Sequence, residues 1–502
     1  MKKLTLFLLL TGVLGCKEQF LDVSPTDRYT EQNYWQTESQ AIAAVSGVYA
    51  ALTNGNLYGG ETPLLFDDLT PNSYNYVNTN GFNIIALGNH DAANSAIITS
   101  RWTANYRVIG RANDVLTNIS RVTMADALRK RLIGEAKFLR ALGYLDLITL
   151  YGGVPLIVDK PALEQSTLPR NSVDEVRTQI LNDLDAAAPD LPLTYTGTDK
   201  GRITRGAALA LKARTLLYAG KWTEAATAAK AVMDLKTYSL VPVYRNVFTL
   251  ENEGNSEVIF DIQFKFPEIT NSFDVSLQRY DNAAPTQDLI DSFYMTDGKS
   301  ITTSSLYNPQ KPYENRDPRF YQAYAYPGST YLGAVVKDNQ FAQTGYAQKK
   351  YTIYQDNVVP ATIKTDGQSE INYILLRYAD ILLMYAEAQN EAAGPDATVY
   401  DALNQIRKRT GMPNVTVGLT KDQMRDEIRH ERRIELAGEG LYYADIRRWK
   451  TAEIVMNATV RNFKGVVVAT RRFNAQRDYL WPIPSTAIQF NPALEQNPNF
   501  NK

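Results

Sequence analysis

Closely spaced carboxylates are the first residues of this sequence whose types and spacing suggest chemistry. Glu431 and Glu435 lie four positions apart, so a helix would place both side chains on one face. Two carboxylates about 5–10 Å apart can hydrolyse a glycosidic bond, whereas two buried like charges with a structural role need basic partners. The basic residues nearest in sequence are Arg432, Arg433, Arg447 and Arg448. We predict an ion-pair scaffold rather than a catalytic pair, because the same helix carries many apolar residues.

Few other reactive side chains are available. The chain has two histidines, His90 and His430, and one cysteine, Cys16. A Cys/His zinc site and a thiol redox pair both need more of these residues. Neither histidine lies near a G-x-S-x-G turn, which argues against a serine triad. We therefore predict no metal site among these residues and no cofactor, and whether a calcium ion binds stays open.

A long polar stretch with interleaved aromatic rings, residues 53–101, is the candidate binding region. Loops of this length in a compact fold are functional or disordered, and the aromatic content argues against disorder. Sugars present flat C–H faces and a rim of hydroxyls, so a sugar site needs exposed rings beside polar side chains. The stretch supplies Tyr74, Asn75, Tyr76, Phe82 and Asn83. Alternatively, these rings pack the loop onto the rest of the protein, and Phe82, which has no hydroxyl, is the one that we most expect to be buried.

Composition supports a recognition role without favouring nucleic acid. The 502 residues can bury a large core, and the net charge of −1 gives no electrostatic reason to bind nucleic acid. Tyrosine, at 31 residues, outnumbers phenylalanine, at 17. Because tyrosine combines an apolar face with a polar tip, this excess suits a wet recognition surface.

The first residues read as an export signal. Lys2 and Lys3 precede the apolar run Leu4–Leu14, which as a helix would rise about 16 Å, far short of a bilayer core of about 30 Å. Residues 1–15 are therefore predicted to be a cleaved signal peptide. Cys16 follows Val13-Leu14-Gly15, a sequence similar to a bacterial lipobox, so Cys16 is the predicted lipidation site and residues 16–35 the tether. The alternative is a secreted protein without lipid.

Helices must position the candidate binding region. The stretch Gly134–Ile157 carries an apolar stripe at three- and four-residue steps and ends at Gly152-Gly153. Gly143 within the stripe costs roughly 1 kcal/mol of helix propensity, which indicates a close approach by another helix. Further helices are predicted at Glu38–Leu52, from Trp102, at Ser172–Ala188 with Ser172 and Glu175 as a capping box, over the hairpin Gly206–Leu235, and at Tyr373–Ala393, Val399–Thr410 and Thr420–Lys450. A strand is predicted at 258–264, where apolar residues alternate.

Several motifs give a resemblance that covers nearly all the chain after residue 16. The run E-A-x-F-L-R-A-x-x-Y-x-x-L starts at Glu135 and is followed by Y-G-G-V-P-L. Further along are Pro285-Thr286, Arg316-Asp317-Pro318-Arg319, Thr344-Gly345-Tyr346 and the segment 440–449. In this order the motifs resemble SusD/RagB-type proteins, the surface glycan-binding lipoproteins of Bacteroidetes.

The resemblance implies a mainly α fold. A single helical body with tetratricopeptide-like helix pairs would carry a loop-rich segment with a few short strands. The corresponding divisions are a SusD-like domain over 36–502, helical at 36–256, rich in loops and strands at 257–372, helical at 373–456 and irregular at 457–502.

The resemblance also implies a function. The protein would not be an enzyme but an oligosaccharide-binding lipoprotein, lipid-anchored on the extracellular side of the outer membrane. It would act as the lid of a SusC-like TonB-dependent transporter. In this family the 53–101 loop and the segment before Pro285-Thr286 flank the glycan site, which adds Asp67, Tyr280 and Asp281 to the predicted ligand-binding residues.

Three alternatives stay open at this point. A surface glycoside hydrolase would use an aspartate pair such as Asp67 and Asp281. A structural subunit would only stabilise the transporter. A peptide-binding relative would take a different cargo.

Overall fold

The computed structural model describes residues 34–160, 162–364 and 366–500. Cys16 and the predicted signal peptide lie outside these residues. The α-helices are α1 Glu38–Leu52, α2 Thr62–Leu65, α3 Phe82–Ala86, α4 Ala96–Asn118, α5 Asp126–Tyr151, α6 Val173–Ala187, α7 Arg205–Tyr218, α8 Trp222–Asp234, α9 Gln287–Ser292, α10 Pro318–Ala323, α11 Tyr378–Ala393, α12 Ala397–Arg409, α13 Lys421–Leu436, α14 Tyr442–Arg448, α15 Ala452–Val455 and α16 Ser485–Phe490.

The strands are short and pair two by two, always antiparallel. They are β1 Ser73–Tyr74, β2 Val258–Ile262, β3 Ala284–Pro285, β4 Tyr324–Ala325, β5 Thr330–Tyr331, β6 Ala334–Val335, β7 Ala347–Gln348, β8 Tyr373–Arg377, β9 Thr459–Arg461 and β10 Val467–Thr470. The pairs β1–β3 and β2–β8 join segments that are far apart in sequence. Strands therefore fasten the loop-rich segment to the helices rather than form a central sheet.

The central helix is α5, as predicted, although it begins eight residues earlier, at Asp126. It packs between α4 and α6. A Cβ at Gly143 would lie 3.1 Å from Cγ1 of Ile109 on α4 and 3.5 Å from the carbonyl oxygen of Asn105. The close helix crossing inferred from this glycine is thus confirmed. The helix ends at Gly152, whose φ of 77° lies in the region that favours glycine.

Antiparallel helix pairs build the rest of the body. Helices α7 and α8 form the predicted hairpin, and α11 packs against α8, α12 and α13. Ser172 and Glu175 form the predicted capping box at the start of α6. One continuous apolar core runs from Trp35 to Leu494. The mainly α fold with helix pairs and a loop-rich segment is confirmed, and Trp35, predicted to end the tether, is buried in this core.

Three of the predicted boundaries are wrong. The 53–101 stretch is not one loop: it contains α2, α3 and the 3-10 turn Phe66–Leu69, and α4 begins at Ala96 rather than Trp102. The helix predicted at Tyr373 begins as β8, because its first residues pair with β2. The helix predicted at Thr420–Lys450 is two helices, α13 and α14, separated by Gly438 and Gly440, both with positive φ.

Buried ion pairs fasten the loop-rich segment to the C-terminal helices. Glu431 contacts Arg319 and Arg407, and Glu435 contacts Arg319, Arg377 and Arg409. The scaffold interpretation is therefore confirmed.

The partners proposed for Glu431 and Glu435 from sequence are wrong. Arg432 and Arg448 pair with Asp380, Asp445 and Glu387 instead. Arg433 pairs with Asp288, and Arg447 donates to the carbonyl oxygen of Tyr479.

Candidate functional site

A two-stranded bridge brings the two predicted binding segments together. Ser73 and Tyr74 of β1 pair with Pro285 and Ala284 of β3. Beyond the bridge, the amide of Thr286 donates to the carbonyl oxygen of Asn72 at 3.0 Å, and the Thr286 hydroxyl accepts from the amide of Leu289 to cap α9. The chain therefore leaves β1 and enters β3 at the same end of this bridge.

Two tyrosine rings stand out from this place. Tyr76 is 63% exposed and Tyr280 is 49% exposed, and they are the only tyrosines among the large exposed apolar side chains that the structure describes. The guanidinium carbon of Arg279 lies 5.5 Å from the centre of the Tyr280 ring. Exposed rings on both segments are what sugar stacking requires.

One glutamine joins the backbones of these two tyrosines. The side-chain oxygen of Gln343 accepts from the amide of Tyr76 at 2.8 Å. Its side-chain nitrogen donates to the carbonyl oxygen of Tyr280 at 3.2 Å and to that of Asp281 at 2.7 Å. We call Tyr76, Tyr280 and Gln343 the tyrosine platform.

The remaining loop residues mostly hold the backbone. Asn75 is buried, and its side-chain oxygen accepts from the amide of Val77 at 2.8 Å. The Asn83 side chain donates to the carbonyl oxygen of Tyr76 at 3.5 Å. Tyr74 is half-buried, and burial raises the pKa of its hydroxyl. Phe82 is buried in edge contact with Phe66, with ring centres 5.4 Å apart, so the packing alternative holds for this ring.

Asp67 contacts the C-terminal helices rather than the platform. Its carboxylate accepts a hydrogen bond from the amide of Gly438, in the turn between α13 and α14. Burial raises the pKa of Asp67 to about 7, although the Gly438 hydrogen bond and the charge of Lys350 oppose the shift. The neighbouring charge that raises the pKa of Asp281 further is that of Asp68.

Asp68 and Asp281 are the carboxyls beneath the platform. Both are buried, and each has one carboxyl oxygen without a hydrogen-bond partner among the residues that the structure describes. Asp68 accepts from the Ser73 hydroxyl at 2.6 Å. Burial raises the pKa of both groups well above the usual range, and the charge of Asp68 adds to the shift of Asp281. We call these two residues the site carboxyls.

Arg471 supports the base of the loop from the C-terminal region. Its guanidinium donates to three carbonyl oxygens of the loop, those of Asp68, Thr70 and Ser73. Burial lowers its pKa to about 10. Arg471, Asp68 and Gln343 are not among the ligand-binding residues predicted from the sequence. A signal existed only for the last two, because Asp68 adjoins Asp67 and Gln343 directly precedes the Thr344-Gly345-Tyr346 motif.

The platform is open rather than enclosed. A cavity of about 380 Å³ lies elsewhere, between α5 and α14, and is lined by other residues such as Leu145, Tyr218 and Arg447. Within the described ranges, no three His, Cys, Asp or Glu residues come together as a metal site, and no helix is long and apolar enough to cross a bilayer. The exposed rings of Tyr76 and Tyr280 leave room for a ligand to stack on them.

Comparison with known proteins identifies similar chains over the whole length. A family model described as the SusD family matches residues 249–500, and another described as starch-binding and associating with the outer membrane matches residues 19–217. A SusD-like protein from Formosa agariphila is 26% identical and covers 95% of this chain and 94% of its own. A SusD-like protein from Bacteroides ovatus is also 26% identical and covers 89% of this chain and 83% of its own.

Solved structures give the same result. A SusD-like carbohydrate-binding protein from Bacteroides fragilis superposes with a TM-score of 0.83 at 27% identity, over 92% of this chain and all of that one. A laminarin-binding SusD-like protein superposes with a TM-score of 0.75 at 25% identity, over 93% of this chain and all of the other.

Proposed function

The chain belongs to the SusD family, and from this premise we propose that it is a non-catalytic oligosaccharide-binding protein of the outer surface. The tyrosine platform is the proposed site. Support comes from the relatives described as carbohydrate-binding and laminarin-binding, and from the starch-binding description of the second family model.

The observation that carries the proposal is the pair of exposed rings on separate loops. Single exposed rings are common on soluble proteins, whereas neighbouring exposed apolar groups mark recognition surfaces, and the backbones of these two rings are joined by one side chain. Here the backbone beneath each ring is fixed by Gln343, and the base of the first loop is fixed by Arg471. Fixed rings lose little conformational entropy when a sugar stacks on them, so they suit binding.

A glycan array tests the proposal directly. The probe is the full mature chain with Cys16→Ser, which removes the lipid site but keeps every described residue. We expect binding to at least one family of oligosaccharides, confirmed by calorimetric titration of the best array ligand. Replacing Phe490, an exposed ring on α16, by Ala serves as the control and should leave affinity unchanged. Absence of heat with every array glycan would favour a structural or peptide-binding role instead.

The same preparation tests catalysis. A labelled oligosaccharide that binds should be recovered intact, because the carboxyls of Asp67, Asp68 and Asp281 are all buried. Release of labelled fragments by the purified protein, but not by its Asp68→Asn and Asp281→Asn variants, would establish a surface hydrolase.

The membrane attachment and the partner are further parts of the proposal. We propose that Cys16 is acylated after signal cleavage and that the protein closes as a lid over a SusC-like TonB-dependent transporter. Two or three acyl chains anchor a protein stably, whereas one alone is marginal. In cells that lack the transporter, Cys16→Ser should release the folded protein from the outer membrane. In cells that have it, the protein should copurify with the transporter.

A further inference from the structure

Gln343 occupies an unusual position between the two binding loops. It is buried, and all three of its hydrogen bonds go to backbone groups of residues at least 62 positions away. The direction of the amide is fixed by these partners. If oxygen and nitrogen were exchanged, an acceptor would face two carbonyl oxygens and a donor would face an N–H group.

The backbone on both sides of this bridge lies at the end of a short regular element, although the amide of Tyr280 still donates to the carbonyl oxygen of Val275 at 3.2 Å. On the first loop, β1 ends at Tyr74, two residues before Tyr76, whose amide donates to Gln343. On the second, the π-helical turn Val275–Arg279 ends directly before Tyr280, and Asp281 follows with a φ of 52°. Both π-turns and left-handed non-glycine residues cost energy and persist only where surrounding contacts hold them.

The neighbouring side chains Asp281 and Asn282 do not connect the two loops as Gln343 does. Asp281 has a carboxyl oxygen without a partner among the described residues, so its side chain contributes little to holding its own turn. Asn282, next along, is tied to Glu61 at 2.7 Å rather than to the first ring. Within the part of the chain that the structure describes, the Gln343 amide is the side-chain group that hydrogen-bonds the backbones of both Tyr76 and Tyr280.

We propose that Gln343 is a positioning residue of the glycan site. Its amide sets the separation and orientation of the Tyr76 and Tyr280 rings, so that both rings stack on one oligosaccharide without a further ordering step. Gln343 acts through the two backbones, because its amide oxygen and nitrogen are already hydrogen-bonded and its side chain is buried. This inference rests on the proposed function.

A double-mutant cycle tests the proposal. Gln343→Met keeps the length of the side chain but removes the donor and the acceptor. We expect it to weaken binding of the best array oligosaccharide by roughly threefold to tenfold, since two rings must then be ordered on binding. In a Tyr76→Ala background, where one ring is absent and no relative position remains to be set, the same substitution should cost less than about twofold.

Gln340→Met is the matched control. Gln340 lies three residues away, is exposed and accepts only from the nearby amide of Lys337 at 3.3 Å. It should leave affinity unchanged in both backgrounds. Amide hydrogen exchange supplies a second measurement, in which Gln343→Met should speed exchange at Tyr76 while the core helices keep their protection.

The outcomes separate the two proposals. Equal losses from Gln343→Met with and without the Tyr76 ring would overturn positioning and indicate direct contact or a general loss of fold. Unchanged affinity in an otherwise wild-type protein that binds glycan would overturn positioning alone. A wild-type protein that binds no glycan would overturn the proposed function and the positioning role together.

Discussion

Two regions of this protein bury carboxyl groups in opposite ways. In the ion-pair core, formed by Glu257, Glu431, Glu435 and Glu439 with Arg319, Arg377, Arg407, Arg409 and Lys350, every carboxylate faces at least one cation. The site carboxyls, Asp68 and Asp281, form no ion pair with any residue that the structure describes, although the charge of Arg471 acts on Asp68 and partly opposes its burial.

The pKa values record the contrast. Burial alone would raise the pKa of Glu435, but the guanidinium groups of Arg409 and Arg377 outweigh burial and hold it well below the usual range. The same balance lowers the pKa of Glu431, between Arg319 and Arg407. At Asp281 no cation among the described residues compensates burial, so the pKa of this carboxyl is raised.

The difference separates scaffold from site. A buried charge with a full set of partners fixes one arrangement of the chain and has no capacity left for a ligand. A buried polar group with an unused hydrogen-bonding atom is costly, and such groups concentrate at functional sites. The family motifs around Glu431 and Arg316 thus belong to the scaffold, whereas the proposed site is built from less conspicuous loop residues.

The largest expected effect comes from breaking the ion-pair core. Arg377 contacts Glu257, Glu435 and Glu439, all buried. Arg377→Met should leave these carboxylates short of a partner and lower the free energy of unfolding by about 3–5 kcal/mol, measured by chemical denaturation. Arg425→Met, at a partly exposed pair with Glu391, is the control and should cost less than about 1 kcal/mol. A similar loss of unfolding free energy in both variants would show that the buried ion pairs of Arg377 stabilise the fold no more than a partly exposed pair does.

The second-largest expected effect concerns the packing of α4 against α5. Gly143→Leu should lower the free energy of unfolding by about 1–3 kcal/mol, because its side chain would meet Ile109 across the α4–α5 crossing. Gly47→Leu on α1 is the matched control, since a Cβ there meets nothing within 4 Å. Thermal melts of both variants measure the difference. An unchanged melting temperature for Gly143→Leu would show that the crossing can relax.

The third prediction moves to the site, where affinity rather than stability should change. Replacing Tyr76 and Tyr280 together by Ala should weaken binding of the best array glycan by roughly tenfold or more, since each stacking ring contributes about 0.5–1.5 kcal/mol beyond its buried area. The melting temperature should stay the same, because neither ring belongs to the core. Titration and melts are run on the same preparation. A lowered melting temperature with unchanged affinity would place the ligand elsewhere.

The smallest effect is a pH dependence at the site. The raised pKa of Asp281 means that the folded state holds its proton to higher pH than the unfolded state does. The contribution of Asp281 to wild-type stability should therefore fall as the pH rises above its unfolded pKa of about 4. Asp281→Asn lacks this titration, so relative to wild type it should be more stable at pH 8 than it is near pH 3. Denaturation at the two pH values measures this, and a constant difference would contradict the titration.

Local pattern alone determined much of the helical body. Helix α1 has the predicted bounds, and the capping box of α6 and the hairpin α7–α8 lie where predicted. Apolar periodicity, capping residues and glycine stops act within a few residues, so they can be read without knowing the rest of the fold. Gly143 even predicted a contact, because a glycine inside an apolar stripe weakens its helix unless a neighbouring backbone must come close.

Tertiary structure alone decided the partners. Nothing near Glu435 in sequence indicates that Arg377, 58 positions away, would neutralise it. Nothing near Tyr76 indicates a hydrogen bond to Gln343, 267 positions away. β8 begins where a helix was predicted, because its backbone groups hydrogen-bond to β2, and this pairing outweighs the local helix propensity. A buried charge or a loop backbone group needs a complementary partner, and the packing of the helices determines which group lies close enough. The partner therefore depends on the whole fold and not on neighbours in the chain.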